Sequence, residues 1–276
     1  MTKINNIISN TDLNDIIDLI TVRYGYDFSN YAKASLLRRV QRVVDISDIK
    51  TVYELKFQLT NNKAFFYFFL QTITVNVTEM FRDPYFYQEM RNNVIPTLAT
   101  YPSIKIWHAG CSTGEEVYSM CILLKEAGIL NRARIYATDI NANNLEKAKA
   151  GILPLKQMRE YTANYIQSGG QDEFSNYYTA RYDNAIISKE LRKNIIFSPH
   201  NLVTDSVFNE FQLICCRNVM IYFDRALQNR VYNLFYESLS PLGFLAIGSK
   251  ESMLFATNKD KFETISAQHK IYRRNS

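Results

Sequence analysis

A glycine turn followed by two acidic residues is the part of the sequence best suited to binding a ligand. Gly110 and Gly114 bracket a short turn after the strand-like run 104–109, and Glu115 and Glu116 open a helical pattern directly after it. The glycines allow a ligand to approach the backbone, and the first helical turn presents free N–H groups. The two carboxylates would repel a pyrophosphate, and the spacing departs from G-x-G-x-x-G. The turn therefore favours a ligand with a positive group and no phosphate, such as S-adenosyl-L-methionine.

A third acid, Asp139, ends a second strand-like run, 134–139, that follows this turn. An acid at the end of the second strand of a nucleotide-binding sheet typically accepts hydrogen bonds from ribose hydroxyls. The alternative is that Glu115 and Glu116 only complement the helix dipole and that Asp139 caps a helix. These residues alone leave both interpretations open.

The acids would be positioned by a part of the chain in which strands and helices alternate. Strand-like runs are found at 104–109, 134–139, 195–197, 211–216, 244–247 and 270–272. Helical patterns separate several of them, for example at 115–126 and 224–239. This alternation predicts an α/β fold with a mostly parallel, doubly wound, Rossmann-like sheet. Ligands bind beyond the carboxyl ends of the strands in such a sheet.

The first 80 or so residues predict a small helical bundle instead. Apolar residues recur at helical spacing from residue 13 and in the segments 31–44, 52–58 and 64–73, and Thr11 or Asp12 would cap the first helix. The second of these helices carries a cluster of cations with no acid among them: Lys33, Arg38, Arg39 and Arg42. Such a cluster is either a solvated helix face or a docking surface for an acidic partner.

Composition excludes several classes of function. The formal net charge of +5 is too weak to require a nucleic-acid partner, and three His and four Cys provide no paired metal-binding motif, so no metal is expected. The apolar run 64–70 is too short to span a bilayer, and the first residues lack the apolar core of a signal peptide. A cytoplasmic protein without membrane insertion is expected.

Five further segments carry a resemblance to a known family. They are Thr74 to Pro84, Ala109 to Ser119, Ala137 to Ile140, Asn201 with Leu202, and Cys216 to Phe223. In order and approximate spacing they resemble the motifs of the chemotaxis receptor methyltransferases, the CheR family, over nearly the whole chain. Met80 departs from the family pattern, which usually has Phe before Phe81; it is a tolerable apolar exchange.

The resemblance implies an activity and a domain organisation. Family members use S-adenosyl-L-methionine to methylate glutamate side chains on the cytoplasmic domains of methyl-accepting chemoreceptors, forming glutamyl methyl esters and S-adenosyl-L-homocysteine in chemotaxis adaptation. The implied organisation is a helical domain over 1–85 with a linker to about 102, and a Rossmann-like methyltransferase domain over 103–276. An antiparallel β-subdomain would be inserted at about 161–193, and the protein would be a monomer that binds no nucleic acid.

By motif position, the resemblance also implies roles for individual residues. The catalytic candidates are Arg82 and Tyr222. The cofactor-binding candidates are Asn76, Thr78, Arg82, Gly110, Glu116, Asp139, Asn201, Leu202, Arg217 and Asn218, with Glu115 as a neighbouring alternative to Glu116. The substrate-docking candidates are Lys33, Arg38, Arg39 and Arg42.

The sequence allows two roles for the β-subdomain and two alternatives to receptor methylation. Gly169-Gly170 predicts the hairpin turn of the β-subdomain, which either binds a receptor peptide by strand addition or is a structural flap. The alternatives to receptor methylation are a non-catalytic adaptor that binds S-adenosyl-L-methionine and a methyltransferase for a protein outside chemotaxis.

Overall fold

A computed structural model describes residues 8–74 and 77–276. The described chain divides into two compact units. One contains residues 8–74 together with Tyr222–Gln228, and the other contains Val77–Ile221 and Asn229–Ser276. In the part of the chain described, no helix is both long and apolar enough to cross a membrane.

The first unit is built from helices, as the apolar spacing predicts. These are α1 (Asn10–Tyr24), α2 (Lys33–Ile46), α3 (Val52–Asn61) and α4 (Lys63–Ile73). The cap of α1 is Ser9, so the prediction of Thr11 or Asp12 is wrong. The hydroxyl of Ser9 accepts from the Asp12 N–H, and the Asp12 carboxylate accepts from the Ser9 N–H. Asp12 therefore completes a capping box from the third helical position.

The core of this unit is made by the apolar faces of the four helices. Leu13, Ile16, Val40 and Val43 are almost fully buried, and the rings of Tyr24 and Phe66 stack. The segment that begins at Tyr222 is held against the same helices, because the Ala32 N–H donates to the Tyr222 carbonyl at 2.9 Å. A residue that is distant in the sequence thus becomes part of the first unit.

The second unit is organised around a seven-stranded sheet. Its strands, in chain order with those of a smaller sheet, are β1 (Ile104–Ala109), β2 (Ala133–Asp139), β3 (Ile152–Pro154), β4 (Tyr178–Arg181), β5 (Asn184–Ile187), β6 (Ile195–Pro199), β7 (Phe211–Cys216), β8 (Leu239–Ile247), β9 (Phe262–Ser266) and β10 (Ile271–Arg274). The remaining helices are α5 (Pro84–Glu89), α6 (Ile95–Leu98), α7 (Glu115–Glu126), α8 (Ala142–Ala150), α9 (Met158–Gln167), α10 (Lys189–Arg192) and α11 (Arg225–Ser238).

The strand order of the large sheet is β6-β2-β1-β7-β8-β10-β9. Neighbours from β6 to β8 are parallel, and β10 is antiparallel to both β8 and β9. The predicted mostly parallel, Rossmann-like sheet is confirmed, with β9 as a strand that the apolar pattern did not reveal. The carboxyl ends of the parallel strands β1, β2, β6 and β7 lie on the same side of the sheet, and the glycine turn lies there as well.

The small antiparallel sheet is confirmed, although its strand β3 precedes the predicted segment 161–193, and the predicted hairpin is wrong. Gly169 and Gly170 follow the end of α9, and Gly169 has φ +77° as at a helix C-terminus. The turn between β4 and β5 is made by Tyr182 and Asp183. Gly170 is required for a different reason, since a Cβ there would lie 2.2 Å from the Tyr165 ring.

The small sheet has the order β3-β5-β4, which leaves β4 as an edge strand. Its residues Thr179 to Arg181 are exposed. Capture of a receptor peptide by strand addition at β4 stays a prediction.

Candidate active site

An ion-pair network joins α7 to the loop after β7. The side chain of Arg217 is 2% exposed; its Nη1 donates to Glu116 Oε2 at 3.0 Å and its Nη2 to Asp83 Oδ2 at 2.7 Å. His108 Nδ1 lies 2.9 Å from the second carboxylate oxygen of Glu116. The guanidinium also packs 4.0 Å from the ring centroid of Phe86. These contacts fix the orientation of the Glu116 carboxylate.

Glu116 keeps its charge in spite of its position. Burial raises the pKa of this carboxyl, but the hydrogen bond with His108 and the charge of Arg217 outweigh burial, and the pKa lies below its ordinary value. The Glu116 side chain is 18% exposed. The network therefore presents one oriented negative charge with access to solvent, which suits the ammonium of a cationic ligand.

Glu115 is in a different environment. It is 5% exposed, and its carboxylate accepts a hydrogen bond from the Thr113 hydroxyl at 2.7 Å. Burial raises the pKa of Glu115 above its ordinary value. Of the two adjacent acids, Glu116 is therefore the better placed to hold a positive ligand group.

Asp139 closes the end of β2 onto the glycine turn. Its Oδ2 accepts from the Ser112 N–H at 2.8 Å, and its Oδ1 accepts from the Asn141 N–H at 2.8 Å and from the Asn144 amide at 3.4 Å. A carboxylate offers about four acceptor sites, so one site on Oδ2 remains for a ligand hydroxyl. Burial raises the pKa of Asp139. The cap of α8 is Asn141, so the alternative of Asp139 as a helix cap is wrong.

The two glycines of the turn are required by close packing. Gly110 has φ +78°, and a Cβ there would lie 2.5 Å from Cγ2 of Val219, in the loop after β7. Gly114 has φ +94°, and a Cβ would lie 3.0 Å from that of Ala148. The loop after β7 therefore fills the space next to Gly110. The glycine turn packs directly against Val219, two residues after Arg217.

The segment containing Arg82 is attached to the same network. The Phe81 N–H donates to the Ser119 hydroxyl of α7 at 2.9 Å, and the Arg82 carbonyl accepts from Arg217 Nη2 at 3.2 Å. The Arg82 side chain is half-buried, and its Nη1 donates to the Val77 carbonyl at 3.3 Å. Within the described residues Arg82 forms no ion pair, although burial raises the pKa of the neighbouring Glu79 carboxyl and the charge of Arg82 acts against this rise. Its guanidinium therefore has donors left for a ligand or substrate carboxylate.

The remaining cofactor candidates lie in the loop after β6 and in the segment that precedes Arg82. Asn201 follows β6, and its side chain oxygen accepts from the Val203 N–H at 3.0 Å, forming an Asx turn. Leu202 is buried and Thr78 is half-buried. Asn76 lies outside the described residues.

Tyr222 and the cationic cluster belong to the first unit. The Arg39 guanidinium lies 4.3 Å from the Tyr222 ring centroid and donates to the Ile73 carbonyl at 2.6 Å. Arg39 is half-buried, whereas Lys33, Arg38 and Arg42 are exposed. Arg39 therefore stabilises the first unit, which differs from the expectation of four equivalent docking cations.

Glu251 is a residue that sequence reasoning missed. It is 5% exposed, and its carboxylate accepts hydrogen bonds from the backbone N–H groups of Asn218, Val219, Met220 and Gly248. Asn218 has φ +62°, in the left-handed region, which asparagine adopts more readily than most residues with a side chain. Four hydrogen bonds to one carboxylate hold the loop after Arg217 in this conformation. Burial raises the pKa of Glu251, although the four N–H donors act against it.

Three potential metal ligands also meet beside this network. Ligand atoms of His108, Glu116 and Cys215 lie within 4.8 Å of one another. However, burial raises the pKa of the Cys215 thiol well above its ordinary value, which disfavours the thiolate that a metal ion would need as a ligand. This arrangement suits a charge network better than a metal ion.

Two models of known protein families match the chain. Residues 76–271 match the CheR methyltransferase SAM binding domain, and residues 11–74 match the CheR methyltransferase all-alpha domain. The chain belongs to the CheR methyltransferase family. Its cofactor is S-adenosyl-L-methionine.

Curated relatives of this CheR methyltransferase agree with that assignment. A Pseudomonas putida protein named as methyltransferase Cher3 is 49% identical over 96% of this chain and 98% of its own. Proteins named chemotaxis protein methyltransferase are 30% identical in Listeria innocua, over 83% of this chain and 86% of theirs, and 33% identical in Vibrio cholerae, over 71% of each. The solved glycopeptide N-methyltransferase MtfA has a TM-score of 0.35 at 10% identity, over 58% of this chain and 48% of its own, too weak a likeness to bear on function.

The residues of the site fit this cofactor. S-adenosyl-L-methionine carries an ammonium, a sulfonium and ribose hydroxyls, and it has no phosphate. The oriented charge of Glu116 complements a cation, and the remaining acceptor site of Asp139 complements a hydroxyl. In this CheR methyltransferase, the turn carries acids because the cofactor has a positive group. It lacks the G-x-G-x-x-G spacing because the cofactor has no pyrophosphate to bind.

Replacing Glu251 with glutamine is expected to loosen the Asn218 loop. The new amide would place an NH₂ donor against N–H groups, which leaves buried donors unpaired and costs about 1–3 kcal/mol of unfolding free energy. We expect the KM for S-adenosyl-L-methionine to rise while kcat changes less, because the loop is adjacent to Arg217. Glu263→Gln, at an exposed position, is the matched control. An unchanged KM in a folded Glu251→Gln protein would contradict this role.

Proposed function

We propose that this protein methylates glutamate side chains on the cytoplasmic domains of chemoreceptors, using S-adenosyl-L-methionine and forming glutamyl methyl esters in chemotaxis adaptation. The proposal places the protein in the cytoplasm as a monomer. It is supported by the family membership and by the relatives named chemotaxis protein methyltransferases.

The chemistry of such a transfer fits the residues available. The bound cofactor supplies a methyl group on a positive sulfur. A glutamate nucleophile has an ordinary pKa of about 4.3 and is ionised at neutral pH, so no strong general base is required. The protein has to desolvate the glutamate and align it for in-line displacement. A site without an assigned histidine base is adequate for this reaction.

The observation that carries the proposal is that the Arg82 guanidinium forms no ion pair with any described residue. This guanidinium donates to a neutral carbonyl, and its main chain is attached to the Arg217–Glu116 network. We propose that Arg82 binds the substrate carboxylate or the cofactor and orients the reacting pair. Tyr222 is the second proposed catalytic residue, with a hydroxyl that would donate a hydrogen bond near the substrate and a ring fixed by Arg39.

The cofactor-binding roles are proposed in the same way. Glu116 would hold the methionine ammonium, and Asp139 would accept one ribose hydroxyl. Gly110, the Asn201–Leu202 turn and the Arg217–Asn218 loop would border the bound molecule, with Asn76 and Thr78 contributing from the preceding segment. Arg217 acts chiefly by orienting Glu116.

The direct test uses methyl-tritiated S-adenosyl-L-methionine and cytoplasmic receptor fragments. Volatile, base-labile label on the fragments is expected, and Glu→Gln substitutions at the labelled sites should remove it. Label that is stable to base would contradict ester formation. Cofactor binding with no transfer to any receptor fragment would favour the non-catalytic adaptor, and transfer to a protein outside chemotaxis would favour the other alternative.

We also propose that the exposed cations of α2 dock the acidic receptor helices. Arg38 and Arg42 lie one helical turn apart and are both exposed. Surface charge of this kind chiefly accelerates association and makes it sensitive to salt.

The double variant Arg38→Glu/Arg42→Glu is expected to raise the apparent KM for receptor by about tenfold at low salt, with kcat unchanged. The measurement is the initial methylation rate as a function of receptor and salt concentration. Arg23→Glu/Lys63→Glu changes the net charge equally at other exposed positions of the first unit and serves as the control. The same KM and salt dependence in both variants would rule out docking at α2.

A further inference from the structure

A cationic cleft lies at the amino ends of the strands of the large sheet, whereas the cofactor residues lie at their carboxyl ends. It has a volume of about 770 Å³ and is located in the second unit, where β1, β2 and β6 begin. Gly110 and Asp139 lie where β1 and β2 end. The cleft is therefore separate from the site described above.

Four cations line this cleft: Lys105, Arg132, Arg134 and Lys193. Among the described residues that line it, none is acidic. Lys105 and Arg134 are directly opposite each other in the parallel register of β1 and β2. Two positive charges on neighbouring strands repel each other, and an anion bound beside them would reduce this repulsion.

Two of the cations are held in place by neutral groups. Arg132 donates to the carbonyls of Tyr101 at 2.8 Å and Ala99 at 3.0 Å. The ammonium of Lys105 donates to the side-chain oxygen of Asn209 at 2.8 Å. These bonds orient the two side chains without neutralising their charge.

The other two cations are free to reach a ligand. Arg134 and Lys193 are exposed, and neither forms an ion pair with any residue in the described part of the chain. The cleft thus combines two oriented cations with two adaptable ones. Arg and Lys in such a set are well suited to phosphate oxygens.

We propose that this cleft binds a phosphorylated small molecule of nucleotide size. The volume lies within the range of about 300–1,000 Å³ that is typical of small-molecule sites. Pro102 and Ile196 provide an apolar wall beside the cations, and Ile196 is 38% exposed, so a planar base has a surface to pack on. Because the cleft is separate from the cofactor residues, this ligand and S-adenosyl-L-methionine would not compete for the same site.

The test measures GTP binding to the full chain by isothermal titration calorimetry without divalent metal. Saturating S-adenosyl-L-homocysteine is present throughout, so that the cofactor site is blocked. Pyrophosphate and poly-L-glutamate are titrated in parallel. The cleft variant is Arg134→Glu/Lys193→Glu, and the control is Arg159→Glu/Lys149→Glu, which changes the net charge equally at exposed positions of α9 and α8. Circular dichroism establishes that all proteins are folded.

We expect GTP to bind with a Kd of about 100 μM or below, and the cleft variant to weaken binding by about tenfold or more, with the control unchanged. Absent GTP binding, or equal weakening by both variants, would overturn the proposal. Pyrophosphate binding as tightly as GTP would overturn the assignment to a nucleotide. Poly-L-glutamate binding that depends on Arg134 and Lys193, without GTP binding, would identify an acidic polypeptide as the occupant and overturn it as well.

Discussion

Arg82→Ala is expected to lower kcat/KM for receptor methylation by about a hundredfold or more while the protein stays folded. A charge-assisted hydrogen bond is worth about 1.5–3 kcal/mol, and the loss of alignment adds to this. Folding should be almost unaffected, within about 0.5 kcal/mol, because the Arg82 side chain donates to one carbonyl and forms no ion pair with any described residue. The measurements are single-turnover methylation and urea unfolding.

Two further variants make this result specific. Arg82→Lys keeps the charge and loses the planar fork, so it should recover only part of the activity. Arg23→Ala, an exposed arginine at the end of α1, should leave the rate unchanged. Calorimetry with S-adenosyl-L-methionine then separates a defect in cofactor binding from a defect in transfer. A folded Arg82→Ala protein that methylates receptor at nearly the normal rate would refute the assigned role.

The sheet and its glycine turn could be predicted because their signals are local. Strands with neighbours on both sides in a parallel sheet are buried on both faces, so β1 and β7 are short runs composed mostly of apolar residues. Gly110, Gly114 and the two acids lie within seven consecutive residues of the sequence. Gly169-Gly170 misled the prediction because glycine marks hairpin turns and helix ends equally well. The packing of the Tyr165 ring against Gly170, which distinguishes them here, exists only in the folded chain.

The charge network could not be predicted because its partners are distant in the sequence. Arg217 and Asp83 are separated by 134 positions, and Arg217 and Glu116 by 101. Glu251 lies in a polar stretch that is typical of a surface loop, and no local pattern indicates that its carboxylate is buried beneath the Asn218 loop. The contact of Arg39 with Tyr222 is equally non-local, so helical periodicity placed Arg39 with the exposed cations.

Arg217→Met is expected to lower the free energy of unfolding at neutral pH by about 3 kcal/mol. Methionine fills much of the space beside Phe86 but removes the cation that compensates Glu116 and Asp83. Removing one partner of a buried ion pair typically costs about 3–5 kcal/mol. The lower end of that range applies because the Asp83 side chain is 43% exposed and solvent screens its charge. Urea unfolding monitored by circular dichroism provides the measurement.

The pH dependence identifies the electrostatic part of this loss. In the native protein the pKa of Glu116 lies below its ordinary value, so its contribution to stability is present above the unfolded pKa and is lost as pH falls through the folded pKa. Without Arg217, only the interaction with His108 opposes burial, so the pKa of Glu116 rises. Glu116 is then protonated in the folded variant at a mildly acidic pH where it stays charged in the native protein. The difference in stability between the two proteins should therefore be large at pH 7 and shrink toward about pH 4.

A double-mutant cycle separates the charge from the packing. Glu116→Gln in the Arg217→Met background removes the uncompensated carboxylate, so it should cost less there than in the native background, with a coupling energy of about 1–3 kcal/mol. Acidic pH and the Glu116→Gln substitution both remove the negative charge of Glu116. Each should therefore reduce the destabilisation caused by Arg217→Met by a similar amount. Additive effects, with a loss from Arg217→Met that is equal at pH 7 and pH 4, would mean that Arg217 stabilises the site through its packing on Phe86. In that case Glu116 would not be held in its charged form by Arg217, and its proposed role toward the methionine ammonium would lose its main electrostatic support.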